Sequence, residues 1–252
     1  MRRSIDLNAD LGEGFGAWQM GHDDRLITMV TSANLACGFH AGDPAIMQKN
    51  VAKAAALGVN VGAHPGAPDL AGFGRRPMAA DPHEVANWVL YQLGAMSAFT
   101  RAAGIGLAHV KLHGYLYNQA YHDADLARAV ARAVKSFEPG LRVFCPPGSA
   151  MLVEASAAGL PVAKEAFVDR AYLADGTLAP RALAGAVITE AAEVAARAVS
   201  LVRDGRIATL DGAWLDLEPD TLCLHGDTPG AVAVAAAVGR ALGEAGVQVR
   251  PL

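Results

Sequence analysis

The chain has 252 residues and a formal net charge of −4, with 52% hydrophobic and 18% charged residues. This length fits one large domain or two small ones, and we expect a single domain over residues 1–252 because no change of composition marks a linker. The sparse charges, without a long run of like sign, argue against a nucleic-acid-binding surface or a disordered tail.

The first residues, MRRSIDLNAD, carry Asp6 and Asp10 where a secretory signal would have an apolar segment. No later stretch is long and apolar enough to predict a membrane span. Cys37, Cys145 and Cys223 are far apart and form no C-x-x-C motif, which is typical of free thiols in a reducing compartment. We therefore expect a cytoplasmic protein.

Strand-like runs followed by helical patterns recur along the chain. In chain order the runs are SIDLNAD, SANLACGF, VNVGAHP, AHVKLHG, RVFCPPG, PVAKEAF and TLCLHGD. Their alternation with helices predicts parallel strands joined by crossover helices. Segments 43–58 and 81–104 each begin with an Asp-Pro pair and end at a glycine, so each predicts a capped helix.

Polar side chains recur at every second position of these runs and therefore share one face of each predicted strand. The set comprises Asp6, Asn8, Asp10, Asn34, His40, Asn60, His64, His109, Lys111, His113, Glu165, Asp169, His225 and Asp227. A doubly wound sheet would bury both strand faces under helices, whereas a closed barrel turns one face toward its axis. The pattern favours a β/α barrel whose polar groups converge at the carboxyl ends of the strands.

Two motifs suggest chemical roles for members of this polar set and add Arg170 to it. In HVKLHGYLYNQ, Lys111 either stabilises a developing oxyanion or pairs with a barrel acid. In KEAFVDRAYLADG, Glu165 is a candidate acid or base, and Arg170 is suited to hold a carboxylate or phosphate. A surface ion pair between Asp169 and Arg170 is the alternative interpretation of that motif.

The segment PGAPDLAGFGRRPMAA, residues 65–80, is the longest irregular stretch and is rich in glycine and proline. Loops of this length are commonly functional. We expect it either to close over a ligand, with Arg75 or Arg76 reaching an anion, or to be an ordered surface loop with solvated arginines.

Cofactor motifs are weak. ADLGEGFGAW matches the dinucleotide fingerprint only formally, because the predicted helix does not begin at its glycines, and no Walker A or G-x-S-x-G motif occurs. A metal site is an alternative, built from His40, His64, His113 and His225 with Asp10. No short ligand spacing such as H-x-x-x-H supports it, so we expect no metal and keep Asp10, His40 and His64 as the alternative ligands.

Six segments together resemble the LamB/YcsF family: DLNADLGEGFGAW, SANLACGFHAGDP, VGAHPGAPDLAGFGRR, KLHGYLYNQ, EAFVDRAY and CLHGDTPGAV. They extend from the first predicted strand to the last. The common family form KPHGALYN is KLHGYLYN here, which keeps Lys111, His113 and Asn118. The resemblance implies a single-domain, seven-stranded β/α barrel of TIM-like type, akin to the glycoside hydrolase and deacetylase superfamily.

The resemblance also implies ATP-dependent hydrolysis of 5-oxo-L-proline to L-glutamate, carried out with subunits B and C of a 5-oxoprolinase. ATP would bind with or on those partners, because this chain has no P-loop. The predicted catalytic residues are Asp10, Glu13, Lys111, His113, Glu165, Asp169, Arg170, His225 and Asp227. The predicted substrate-binding residues are Asn8, Asn34, His40, His64, Arg75, Arg76 and Asn118.

Within this set, we expect Lys111, His113 and Arg170 to stabilise a carboxylate, phosphate or oxyanion. The acids Asp10, Glu13, Glu165 and Asp227 would transfer protons and activate water, with His225 as a relay. Two other functions stay open: a stand-alone metal-dependent hydrolase of amides or esters, and a noncatalytic ligand-binding subunit. Self-association into a homo-oligomer is also open.

Overall fold

The computed structural model describes residues 3–226 and 230–252. The strands are β1 (Ser4–Leu11), β2 (Ser32–Ala36), β3 (Asn60–His64), β4 (His109–Lys111), β5 (Arg142–Cys145), β6 (Val162–Phe167), β7 (Arg206–Ala208), β8 (Trp214–Asp216), β9 (Thr221–His225) and β10 (Gln248–Val249). The helices are α1 (Asp23–Leu26), α2 (Pro44–Leu57), α3 (Pro82–Ala102), α4 (Gly114–His122), α5 (Ala124–Phe137), α6 (Ala150–Ala157), α7 (Ala191–Asp204) and α8 (Ala231–Glu244). A single 3₁₀ turn, Leu70–Gly72, is present among these described residues.

The described part of the chain forms a closed barrel of seven parallel strands. Strands β1 to β6 pair in chain order, β6 pairs with β9, and β9 returns to β1. In this register Asp10 lies beside Asn34 on one side and beside His225 on the other. All seven predicted strand runs are barrel strands, so the predicted seven-stranded β/α barrel is confirmed.

Two additions to the barrel were not predicted from the sequence. Strands β7 and β8 form an antiparallel hairpin between α7 and β9, and the short β10 pairs with the first residues of β1. Their runs are only three and two residues long, which is too short for a periodic pattern. Both additions lie outside the closed ring of seven strands.

The helix boundaries follow from capping chemistry. The Asp43 carboxylate accepts hydrogen bonds from the backbone N–H groups of Ala45 and Ile46, which would otherwise lack partners at the start of α2. Gly58 ends α2 with φ of 69°, a left-handed conformation that costs a glycine little. Asp81 caps α3 in the same way, so both predicted helix starts are confirmed.

The two faces of β1 have opposite chemistry although both are buried. Leu7 and Ala9 belong to the main apolar core between strands and helices. On the other face, Asp6 accepts a hydrogen bond from Ser32 Oγ at 2.7 Å, and Asn8 donates to Thr221 Oγ1 at 2.7 Å. Burial raises the pKa of Asp6. These internal bonds matter because each unpaired buried polar group would cost about 1–3 kcal/mol.

Most buried apolar side chains belong to one core cluster, which includes residues of every barrel strand and of the surrounding helices. The assignment of residues 1–252 to one domain stays a prediction. None of the helices in the described residues has the length and apolar character needed to cross a membrane.

Candidate active site

The barrel opens into a cavity at the carboxyl ends of its strands, where active sites of β/α barrels are found. The cavity has a volume of about 380 Å³, at the lower end of the roughly 300–1,000 Å³ usual for small-molecule sites. Its lining combines polar groups from β1, β3, β4 and β9 with residues of the loops that follow. The predicted site residues in the lining are Asp10, His64, Arg75, Lys111, His113, Asn118, Arg170 and His225.

A buried ion-paired group lies at the floor of this cavity. The Lys111 ammonium contacts Asp10 Oδ1 at 2.8 Å, Glu165 Oε1 at 2.9 Å and Cys223 Sγ at 2.9 Å. Burial alone would lower the pKa of Lys111, but the negative charges of Asp10 and Glu165 raise it well above its usual value. Lys111 therefore stays charged and pairs with two barrel acids, which is one of the two interpretations that the sequence left open for it.

Asp10 lines the cavity together with Lys111. Its Oδ1 atom accepts hydrogen bonds from Lys111 and from Asn34 Nδ2, at 2.8 Å each. Burial would raise the pKa of Asp10, but His64 and Lys111 lower it well below its usual value. A carboxylate with so low a pKa is a poor proton acceptor, so Asp10 is suited to orienting water or stabilising positive charge.

Glu165 lies behind the cavity wall. Its side chain is fully buried, and its two oxygens are bound by Lys111 and by the Tyr117 hydroxyl at 2.9 Å each. Burial and the neighbouring Glu165 raise the pKa of Tyr117 well above its usual value, so the phenol remains a donor. The geometry therefore gives Glu165 a role in fixing Lys111 and Tyr117 rather than direct contact with a ligand.

His225 and Asp169 form an oriented pair on the wall opposite β3. The His225 Nδ1 atom lies 2.9 Å from Asp169 Oδ1, and the His225 backbone N–H donates to Asp169 Oδ2 at 2.9 Å. Burial would raise the pKa of Asp169, but the contacts with His225 lower it. An ionised Asp169 holds the proton on Nδ1 and leaves the lone pair on Nε2, which is the arrangement of a general base.

Three arginines lie at the rim, on the loop segments that follow β3 and β6: Arg75, Arg170 and Arg181. Arg170 donates to the backbone oxygens of Ala186 and Ala179 at 3.2 and 2.6 Å, so it also fixes its own loop. Burial, with the positive charge of Arg181, lowers the pKa of Arg170 to about 10. Converging like charges of this kind favour the binding of an anion.

A histidine cluster lies beside Asp10, under the long loop of residues 65–80. Its members are Glu13, His40, His64 and His113, all buried, with one potential ligand atom from each lying within 4.8 Å of the others. His64 Nε2 is also 3.4 Å from Asp10 Oδ2. Burial lowers the pKa values of His40 and His113 well below the usual range, so both rings are neutral. The sequence analysis placed His225 among the alternative metal ligands, but in the structure His225 pairs with Asp169 and lies outside this cluster.

The loop of residues 65–80 covers the histidine cluster, and the two arginines of this loop point to different places. The backbone oxygen of Phe73 lies 2.8 Å from His113 Nε2, and Gly74 accepts a hydrogen bond from the Tyr115 backbone N–H. Arg75 lines the cavity with its guanidinium over the Phe73 ring. Arg76 instead binds Asp69, its side chain is 66% exposed, and it does not contribute to the cavity lining.

The remaining predicted residues divide into three groups. Asn118 lines the cavity. Asn8 and Asn34 are fully buried in the barrel, where Asn34 Nδ2 bonds Asn8 Oδ1 at 2.7 Å, so the geometry makes them supports for Asp10 and not substrate contacts. Asp227 lies outside the described residues.

Tyr117 and Arg181 are among the cavity residues that the sequence analysis missed. Tyr117 follows His113 by four residues on α4, and that helical spacing was the available signal for a shared face. Arg181 lies in an irregular segment after β6, where no periodicity indicates a direction, so no sequence signal identified it.

Comparison with known proteins gives consistent results along the whole chain. The LamB/YcsF family model matches residues 5–252. The A subunit of a 5-oxoprolinase from Heliobacterium modesticaldum is 54% identical over 246 residues, which are 98% of this chain and 97% of that protein. The crystal structure of a lactam utilization protein from Thermus thermophilus superposes with a TM-score of 0.94 at 52% identity, covering 99% of this chain and 100% of that one.

A more distant structure shares the fold alone. A putative cellobiose-phosphate cleavage protein from Enterococcus faecalis superposes with a TM-score of 0.55 at 12% identity, over 99% of this chain and 97% of that one. The barrel architecture therefore extends beyond the close relatives.

Proposed function

The chain belongs to the LamB/YcsF family, and we propose that it opens the ring of 5-oxo-L-proline to give L-glutamate, as the A component of an ATP-dependent, multisubunit 5-oxoprolinase. Relatives that carry the name of the 5-oxoprolinase A component match nearly the full chain at about half identity, and the similar crystal structure is named a lactam utilization protein. The chemistry of the cavity supports the same reaction.

The substrate is a small lactam with one carboxylate, and the cavity offers matching groups. Arg75, Arg170 and Arg181 form a positive rim that binds the carboxylate. The lactam ring then lies toward Asp10 and His225, which are direct neighbours across the β1–β9 pairing. This orientation brings the scissile C–N bond to the polar floor.

The oriented His225 and Asp169 pair supplies the base. His225 Nε2 removes a proton from a water molecule as the oxygen adds to the lactam carbon, and Asp169 stabilises the resulting imidazolium. The His225 imidazolium then returns this proton to the departing nitrogen. Asp10 keeps its negative charge through Lys111 and orients the water or the departing nitrogen. Lys111 acts through Asp10, as a positioning residue.

ATP activates the unstrained amide. Transfer of the γ-phosphoryl group to the lactam oxygen gives a phosphorylated imidate; addition of one water and cleavage of the C–N bond give γ-glutamyl phosphate. A second water then releases glutamate and phosphate, so one ATP and two waters are consumed. No Walker A motif occurs in the sequence, and we assign ATP binding to partner subunits B and C.

The observation that carries this proposal is the placement of His225, oriented by Asp169, next to the ion-paired Asp10 at one barrel mouth. The test is L-glutamate formation from 5-oxoproline by the purified chain mixed with subunits B and C. We expect glutamate only when the chain, both partners and ATP are all present. Equal rates without this chain would refute the proposal, and cleavage of simple amides or esters by the chain alone would favour a stand-alone hydrolase.

A further inference from the structure

His64 and His113 face each other in a way that requires a cation between them or a proton added to them. His64 Nδ1 lies 2.8 Å from the Lys111 backbone oxygen, and His113 Nε2 lies 2.8 Å from the Phe73 backbone oxygen. A carbonyl oxygen only accepts, so each of these ring nitrogens carries its hydrogen. The other nitrogens, His64 Nε2 and His113 Nδ1, then direct two lone pairs at each other across 3.1 Å.

The backbone contacts that fix these tautomers are typical of metal-binding histidines. Such histidines usually donate their remaining ring N–H to a carboxylate or a backbone oxygen, which orients the ligand nitrogen. Both rings show this arrangement, and each is anchored to a different segment, β4 and the 65–80 loop. Two independent segments thus aim unprotonated nitrogens at one point.

His40 supplies a second, independent sign of a ligand. Its side chain is fully buried, yet neither ring nitrogen has a hydrogen-bond partner in the described residues, and Nε2 lies 3.4 Å from Glu13 Oε1. A buried polar group without a hydrogen bond costs about 1–3 kcal/mol. Coordination of an ion by His40 would remove that cost.

The distances fit a small divalent ion. With metal–nitrogen bonds of about 2.0–2.1 Å, tetrahedral ligand atoms lie about 3.3–3.4 Å apart. The Glu13 Oε1 atom is 3.4 Å from His113 Nδ1 and 4.0 Å from His64 Nε2, and the two histidine nitrogens are 3.1 Å apart. Small side-chain shifts complete the geometry.

We propose that Glu13, His64 and His113, with His40 as the weakest ligand, bind one divalent transition metal ion of the Zn²⁺ type at the edge of the cavity. Three imidazoles and a carboxylate, without a thiolate, are ligands that suit zinc and its neighbours. His40 is the weakest because its ring stacks parallel on His113 at 3.6 Å, so one ion cannot lie in both ring planes unless His40 rotates. This metal site goes beyond the proposed function and does not rest on it.

The test is equilibrium binding of Zn²⁺ to the full chain after chelation and removal of the chelator. We expect about one Zn²⁺ per chain, with at least tenfold weaker binding for His64→Ala and His113→Ala and a smaller loss for His40→Ala. His83→Ala, which removes an exposed histidine at the start of α3, is the matched control and should bind like the wild type. Wild-type affinity in both His64→Ala and His113→Ala overturns the site.

X-ray absorption at the zinc edge of the wild-type complex gives a result that does not depend on any variant. Two or three imidazole ligands with bonds of about 2.0–2.1 Å are expected. A zinc ion surrounded by oxygen ligands alone, or no uptake of zinc, cobalt or manganese by the wild-type chain, overturns the proposal. The absence of metal uptake would mean that His64 and His113 share a proton instead. Neither readout uses 5-oxoproline, so failure here leaves the proposed reaction untouched.

Discussion

The Lys111 ammonium lies 2.8 Å from the Asp10 carboxylate, and both side chains are nearly inaccessible to solvent at the carboxyl end of the barrel. Glu165 holds the same ammonium from the other side at 2.9 Å. One cation therefore contacts two buried carboxylates, and removal of that cation takes an ion-pair partner from both.

Lys111→Met should destabilise the fold strongly. The expected loss is about 3–5 kcal/mol in the free energy of unfolding, because breaking a buried ion pair leaves an uncompensated buried charge. Denaturant unfolding at neutral pH measures it. Lys49→Met is the matched control: Lys49 pairs with Asp24 at a similar 2.9 Å, but both side chains are more than half exposed. Equal losses for the two variants would contradict this account of Lys111.

Asp169→Asn should lower kcat about a hundredfold or more while changing KM little. The amide cannot stabilise a positive charge on His225, and its NH₂ group favours the wrong tautomer, so the base function is lost. Steady-state kinetics of the assembled enzyme, with a pH profile of kcat, measure this effect. Asp204→Asn, at the exposed end of α7, is the control. A rise in KM alone, with kcat and its pH profile unchanged, would assign Asp169 to substrate binding.

Arg75 and Arg76 are adjacent in sequence but should differ in function. Arg75→Leu should raise KM for 5-oxoproline roughly tenfold to a hundredfold, the cost of one or two hydrogen bonds to a charged group. Arg76→Leu should leave KM unchanged, because its guanidinium binds Asp69 away from the cavity. Inhibition by 2-pyrrolidinone, the same lactam without the carboxylate, should be alike in both variants. Equal KM values for the two variants would remove Arg75 from carboxylate binding.

The free energy of unfolding should fall as the pH drops below 6.5, in part through His109. Burial lowers the pKa of His109 from 6.5 to about 3, so the unfolded chain binds a proton that the folded chain does not. This contribution is fully present above pH 6.5 and is lost as the pH falls toward 3, at about 1.4 kcal/mol per pH unit.

His109→Gln tests that assignment, since glutamine keeps an N–H donor for Asn34 Oδ1 but does not titrate. The slope of the unfolding free energy against pH, measured between about pH 6 and pH 4, should decrease by about the contribution of one proton. His83→Gln, an exposed substitution, should keep the wild-type slope. An unchanged slope in His109→Gln would show that this ring does not remain neutral in the folded chain.

The alternation of polar and apolar residues along the strands predicted the barrel, because this alternation can be seen within each short strand sequence. The alternation of Asp6, Asn8 and Asp10 with apolar residues distinguished a barrel from a doubly wound sheet, and the structure has the polar face inside. The same alternation could not predict which residues of the inward face lie at the cavity and which lie deeper in the barrel. Asn8 and Asp10 share a face, yet only Asp10 reaches the cavity.

Partners within the site were harder to predict because they come from distant segments. His225 and Asp169 are 56 residues apart, and Lys111 and Asp10 are 101 apart, so no spacing rule links them. Glu13 lies beyond β1 in an irregular segment, and only the fold brings it to His40. Neighbouring Arg75 and Arg76 diverge because Asp69 binds one of them, a contact set by the turn at residues 70–72.

The most direct test of the central claim is L-glutamate formation by the assembled enzyme carrying Asp10→Asn or His225→Gln in this chain. Both variants should fold and assemble with the partners, and both should turn over at least a hundredfold more slowly than the wild type. Wild-type rates of glutamate formation in either variant would contradict the assignment of the reaction to the Asp10–His225 mouth of the barrel.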